Sequence, residues 1–139
     1  MWSKTHSIVT KEATREQLWK LYSDIHNWHT WDSGVESAKL EGKFEVGSYF
    51  LLKPKGGPKV RIQLVEIISN RKFVDMTRFP LAKMYGEHTF EDTSEGVRMT
   101  ITMKVEGILA GLWRRIVAQD IVNKLPGEMA HQVKTASAL

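Results

Sequence analysis

Between Leu18 and Asp32 the apolar positions follow a helical spacing, and from Val35 onward they alternate. Ser7 to Thr10 reads as the end of a first strand. Thr14 and Gln17 then form a capping box, in which each side chain accepts the other residue's free backbone amide; the helix it starts runs through Tyr22, with Leu18, Trp19 and Tyr22 on one face. Asp24 is placed to cap a second short helix that turns Trp28 inward, and Asp32-Ser33-Gly34 ends it. Six alternating segments follow: Val35–Leu40, Ser48–Lys53, Val60–Ile68, Lys72–Phe79, Ala82–Asp92 and Val97–Glu106. Turn chemistry separates them, at Gly42 and Gly47, Gly56-Gly57-Pro58, Ser69-Asn70 and Thr93-Ser94-Glu95-Gly96. Links this short imply an antiparallel meander. After Gly107 a helix opens with Leu109, Leu112, Trp113, Ile116, Val117 and Ile121 on one side. Pro126-Gly127 is expected to interrupt it before it resumes through Val133.

The alternation also assigns faces. If Phe90 points inward, so do Met84, Gly86 and His88, while Lys83, Glu87, Thr89 and Glu91 point to solvent. On the next strand Val97, Met99, Ile101, Met103 and Val105 form the apolar row, and Val60, Ile62 and Leu64 form another. The strand from Phe73 to Arg78 mixes polar and apolar residues on both faces and assigns neither. Met84, Met99 and Met103 on inward rows suit a wall that adapts to shape, since methionine is flexible and polarizable; ordinary core packing is the competing reading. Gly86 in the same row removes volume where a packed core would want it.

The order β-α-α-β6-α is that of an α+β helix-grip fold: a curved antiparallel sheet of about seven strands around a long C-terminal helix, as one domain over residues 1–139. This order, the Leu18-Trp19 to Trp31-Asp32 segment, Gly42 to Gly47 before the next hairpin, and the Gly96 to Gly107 strand running into Leu109 resemble the START-like SRPBCC superfamily. Within it the chain is most similar to the polyketide cyclase/dehydrase and lipid-transport group. The resemblance implies a mostly apolar cavity between sheet and helix, and a small hydrophobic ligand such as a lipid, polyketide or quinone. It supplies no catalytic signature to carry over.

Under that fold the candidate ligand-binding residues are Trp31, Ile62, Met84, Phe90, Met99, Ile101, Met103, Trp113 and Ile116. Asp120 falls within the apolar arc of the terminal helix, where an unpaired carboxylate is costly to bury. It must neutralise, face a wet cavity or meet a cation, and His88, Arg78 and Lys124 are the available partners; an Asp120–Lys124 pair at the helix edge is the plain alternative. Should His88 and Asp120 meet, the carboxylate would fix the imidazole's tautomer and make a candidate catalytic pair for aldol-type cyclisation or dehydration. His26 and His29 lack a fixed third ligand, so no metal is assigned. Gly56-Gly57 lacks the ending of a phosphate loop, and no cofactor is expected.

Composition narrows the picture further. The chain has 42% hydrophobic and 26% charged residues and no cysteine, which removes disulfides, thiolate catalysis and zinc–thiolate sites and suits a reducing cytoplasm. No apolar run approaches a transmembrane length, and the Met1 to His6 segment has no secretion-signal core, so a cytoplasmic location is expected. The net charge of +4 is spread along the chain, gathering only at Lys53, Lys55, Lys59 and Arg61. That hairpin reads as a solvated tip or, more sharply, as a docking patch for an acidic carrier protein or an anionic headgroup, which would make the chain an interaction module. No aromatic residues are interleaved with it, which argues against nucleic acid.

Overall fold

The computed structural model describes residues 1–139. β1 (Trp2–Thr10) leads into α1 (Arg15–Ser23), a 3-10 turn (Ile25–Asn27) and α2 (Trp28–Trp31). Then come β2 (Val35–Glu41), β3 (Tyr49–Pro54), β4 (Val60–Ile68), β5 (Lys72–Phe79), β6 (Ala82–Thr93) and β7 (Gly96–Glu106). The terminal helix comprises α3 (Ala110–Trp113), a π-helical segment (Arg114–Ala118) and α4 (Gln119–Ala136).

The strands form one seven-stranded antiparallel sheet in the order β1-β7-β6-β5-β4-β3-β2. β1 pairs with β7 from Trp2↔Val105 to Thr10↔Val97, and the α1–α2 segment carries the chain to the far edge, where β2 pairs with β3. Register shifts at Val35/Ser37 in β2 and Leu64/Glu66 in β4 bend this side of the sheet. The curved sheet holds the terminal helix across its inner face.

The Thr14–Gln17 capping box is formed in both directions, with Gln17 N to Thr14 Oγ1 at 3.1 Å and Thr14 N to Gln17 Oε1 at 2.9 Å. It aims α1 so that Leu18, Leu21 and Tyr22 are buried. Trp19 meets Phe44, Phe73 and Phe90 edge-on, forming an aromatic core at this end of the sheet. Asp24 stands at the N-terminus of the 3-10 turn but accepts from the Asn27 side chain instead of capping a backbone amide.

The terminal helix departs from expectation in two places. It is continuous through Pro126 and Gly127, both exposed, because buried Leu125, Met129 and Val133 pin either side to the core and outweigh one missing amide donor. The irregularity lies earlier, in the π segment. Ile116, inside this wider turn, is 58% exposed, and Leu112, in α3 just ahead of it, is 46% exposed, so both leave the expected apolar face. Gly107 sets the helix's entry: its φ is +112°, and a Cβ there would stand 2.6 Å from the Leu81 carbonyl oxygen.

Candidate functional site

Between the inner sheet face and the terminal helix lies a cavity of about 460 Å³. Trp31, Ile62, Met84, Ile101, Met103 and Ile116, all expected at a ligand site, are on its wall. Phe90, Met99 and Trp113 are not. Phe90 is buried against Trp19 and Tyr22, and Met99 is fully enclosed in the packed core. Trp113 stacks on Phe79, with ring centroids 4.5 Å apart, and donates its indole N–H to the Pro80 carbonyl at 2.9 Å. The alternation alone separated sheet faces, not cavity from packed core on the same face. Trp28 also reaches the wall, set edge-on to Phe50 and held by its N–H to the Tyr22 carbonyl.

β5 resolves the ambiguous strand. Asp75, Thr77 and Phe79 face the cavity, while Val74 and Met76 are buried on the opposite sheet face and Arg78 is exposed. Asp75 is the carboxylate that meets His88: Oδ2 lies 3.3 Å from Nε2, and the side chains are only 17% and 14% exposed. The imidazole also stacks on Phe73, at 4.2 Å between centroids and 7° between planes. A protonated Nε2 donates to Asp75, leaving Nδ1 buried and without a partner in the protein. Gly86 stands opposite Asp75 in the β5–β6 register, and a Cβ there would fall 2.9 Å from Oδ1. The space that glycine vacates is therefore taken by this carboxylate.

Asp120 lies at the cavity's edge but does not approach His88 in a pair. Its side chain is 68% exposed and bridges to Lys124 at 3.0 Å, one helical turn on, so the predicted His88–Asp120 pair is replaced by His88–Asp75. The reason is register: His88 and Asp75 are on adjacent paired strands, whereas Asp120 sits where the helix meets solvent.

The helix contributes two polar groups to the wall that sequence reasoning passed over, Glu128 and Gln132. Asp120, Lys124, Glu128 and Gln132, each four residues apart, all reach the cavity wall beside the apolar stripe Val117, Ile121 and Leu125. Gln132 is buried and accepts a short hydrogen bond from the Tyr22 hydroxyl. Burial, reinforced by Glu128 and Asp32, raises the Tyr22 phenol far above its ordinary range and keeps it a neutral donor. Burial also raises the Glu128 carboxyl, with the Asp32 charge adding to it and Lys124 opposing. Both sit beside Trp31, whose carbonyl accepts from His131 Nε2 at 2.8 Å and ties α2 to α4.

Away from the cavity, His26 and His29 are exposed on the short helical turns. The basic hairpin is partly neutralised: Lys53 pairs with Glu36 at 2.5 Å, and Arg61 pairs with Glu41 at 3.1 Å while lying over the Tyr49 ring. Lys55 and Lys59 are exposed. No helix is long and apolar enough to cross a membrane.

A sheet gripping a helix around an apolar cavity with a polar floor defines a helix-grip protein of the START-like SRPBCC superfamily. Residues 1–135 match the model of the family described as polyketide cyclase / dehydrase and lipid transport, and the chain belongs to that family. No curated protein matches it by sequence. Among solved structures it is similar to Ara h 8.0201, with a TM-score of 0.76, 11% identity and 99% of both chains covered. It is also similar to norcoclaurine synthase from Thalictrum flavum in complex with dopamine and hydroxybenzaldehyde, with a TM-score of 0.72, 11% identity, and 96% of this chain and 84% of that one covered. The di-domain ARO/CYC StfQ of the steffimycin biosynthetic pathway gives a TM-score of 0.72 and 15% identity, with 98% of this chain covering 50% of that one. These likenesses establish the fold.

Proposed function

We propose that this protein encloses a small, mainly apolar molecule bearing a hydroxyl or carbonyl group, such as a polyketide, quinone or lipid fragment. The observation that carries the reading is the cavity itself: about 460 Å³, walled by Trp31, Ile62, Phe79, Met84, Ile101 and Met103, with polar atoms confined to a few places. Its lining suits a ligand with an apolar body. Asp75 and Thr77 on the cavity wall offer acceptors for a ligand hydroxyl, and the Tyr22–Gln132 pair offers further hydrogen-bonding atoms. The adaptable Met84 and Met103 favour a range of related shapes over one rigid ligand. Titration with naphthol, a flat apolar body with one hydroxyl, should quench Trp28 and Trp31 saturably. Absence of saturable quenching across naphthols, quinones and fatty acids would sink the reading.

A second reading, proton transfer, is favoured by one arrangement. His88 and Asp75 form a hydrogen-bonded imidazole–carboxylate pair on the cavity wall, the kind of pair that takes a proton from a carbon beside a carbonyl, as a cyclisation or dehydration requires. Asp75 acts here as a positioning residue. Incubation of a poly-β-keto thioester mimic should then give cyclised product that disappears in His88→Ala but persists in Asp120→Ala. Equal product from all three proteins would remove His88 from the chemistry.

A further inference from the structure

Ile108, Leu112 and Ile116 recur at four-residue steps and are 86%, 46% and 58% exposed, and Leu81 is 63% exposed. The fold brings them to one end of the sheet. Leu109 N donates to the Leu81 carbonyl at 3.1 Å, and Leu81 and Ile108 line the same surface hollow. The β3–β4 tip lies at this end too, because Ile62 pairs with Thr77, which brings Val60 level with Phe79. Four large aliphatic side chains are thus gathered beside the cavity, whose rim includes Ile116 and Phe79.

Cations outnumber anions around them, with one carboxylate, Glu106, in the same hollow and level with Lys83. Arg78 and Lys83 face each other in the β5–β6 register, Arg114 lies over the Trp2 ring, and Arg115 is exposed next to Ile116. Lys55 and Lys59 stand on the neighbouring tip. None of the six forms a salt bridge, whereas Lys53 and Arg61 on the same hairpin, and Arg15, Lys72, Arg98 and Lys104 on other strands and α1, each have an acidic partner. Exposed aliphatics at the opposite end, Val9, Val46 and Ile68, sit on separate elements, with Glu45 and Glu66 nearby in the chain.

We propose that this end of the molecule docks on an anionic lipid bilayer, with Leu81 and Ile108 entering the acyl boundary and Arg78, Lys83 and Arg115 at the phosphate level. Apolar contact and headgroup attraction are each weak singly and strengthen one another at such an interface. An anionic bilayer, with charge at the phosphate level above an acyl layer, accounts for both halves of the patch. Docking places the rim residue Ile116 against lipid. Surface attachment does not depend on what the cavity holds.

Flotation of the full chain with phosphatidylcholine vesicles, and with vesicles in which about a third of the lipid is phosphatidylglycerol, tests this directly. Binding is expected only to the anionic vesicles and should fall as salt rises. Leu81→Asp with Ile108→Asp should lower partitioning by at least about tenfold, with unchanged circular dichroism and naphthol quenching. Lys83→Glu with Arg115→Glu should do likewise, while Val46→Asp with Ile68→Asp at the opposite end should leave it intact. No partitioning, equal loss in the opposite-end variant, or salt-sensitive binding that survives Leu81→Asp with Ile108→Asp would overturn the proposal. Vesicle binding without naphthol quenching would refute the cavity reading alone.

Discussion

His88 Nε2 lies 3.3 Å from Asp75 Oδ2, and the contact exists because Gly86 stands opposite Asp75 across the β5–β6 pair. A methyl at position 86 would meet both carboxylate oxygens, at 2.9 and 3.1 Å, and push them aside. Gly86→Ala should therefore cost about 1–3 kcal/mol of stability, as overpacking does. It should also release the imidazole from its Nε2–H tautomer, which nitrogen NMR of the ring reads. An unchanged ring spectrum would show that Gly86 does not govern the pair.

Asp75 and Asp120 should respond differently to substitution. Asp75→Ala leaves a largely buried imidazole without its acceptor and should weaken naphthol binding by about tenfold, the scale of one lost buried hydrogen bond. Asp120→Ala removes only an exposed bridge to Lys124, so affinity should stay within about 0.5 kcal/mol. Tryptophan quenching measures both; equal effects would contradict this assignment.

Much of the fold is readable from local chemistry. The Thr14–Gln17 box and the alternating strands carry their own signals, and the turn residues separate them. β5 resisted because its polarity is reversed: polar Asp75 and Thr77 face the cavity while apolar Val74 and Met76 are buried on the other sheet face. Hydrophobicity alone could not choose between them. On the terminal helix the four-residue spacing of Asp120, Lys124, Glu128 and Gln132 was present in the sequence, but Pro126-Gly127 suggested a break across it. Burial of Leu125 and Met129 keeps the helix whole and aligns the polar stripe. The π segment left no comparable mark, so Ile116 could not be separated from the core positions around it.

Met99 and Met103 occupy one inward row of β7 and should respond unequally to truncation. Met99 is fully enclosed, so Met99→Ala should cost about 2–5 kcal/mol. Met103 borders existing empty space, and Met103→Ala should fall near the low end of that range while admitting bulkier ligands. Urea unfolding and a ligand-size series check these outcomes.

Glu128 gives the protein a distinct pH signature. Burial raises its carboxyl above the usual carboxylate range in the folded state, so the folded protein holds that proton more tightly than the unfolded chain does. The associated stability is present below the unfolded carboxylate value and is lost as pH rises through the raised one. Glu128→Gln should be more stable than the parent above that window, with the gap closing at lower pH. Parallel stability curves for the two proteins would contradict the assignment.

The most direct test of an enclosed apolar chamber is methyl-resolved NMR during naphthol titration, because three methionines on the inner sheet face differ in what they touch. The methyls of Met84 and Met103, on the cavity wall, should shift with ligand, while that of Met99, packed in the core, should hold its position. Movement of none of the three, or of Met99 as much as the others, would contradict binding in this cavity.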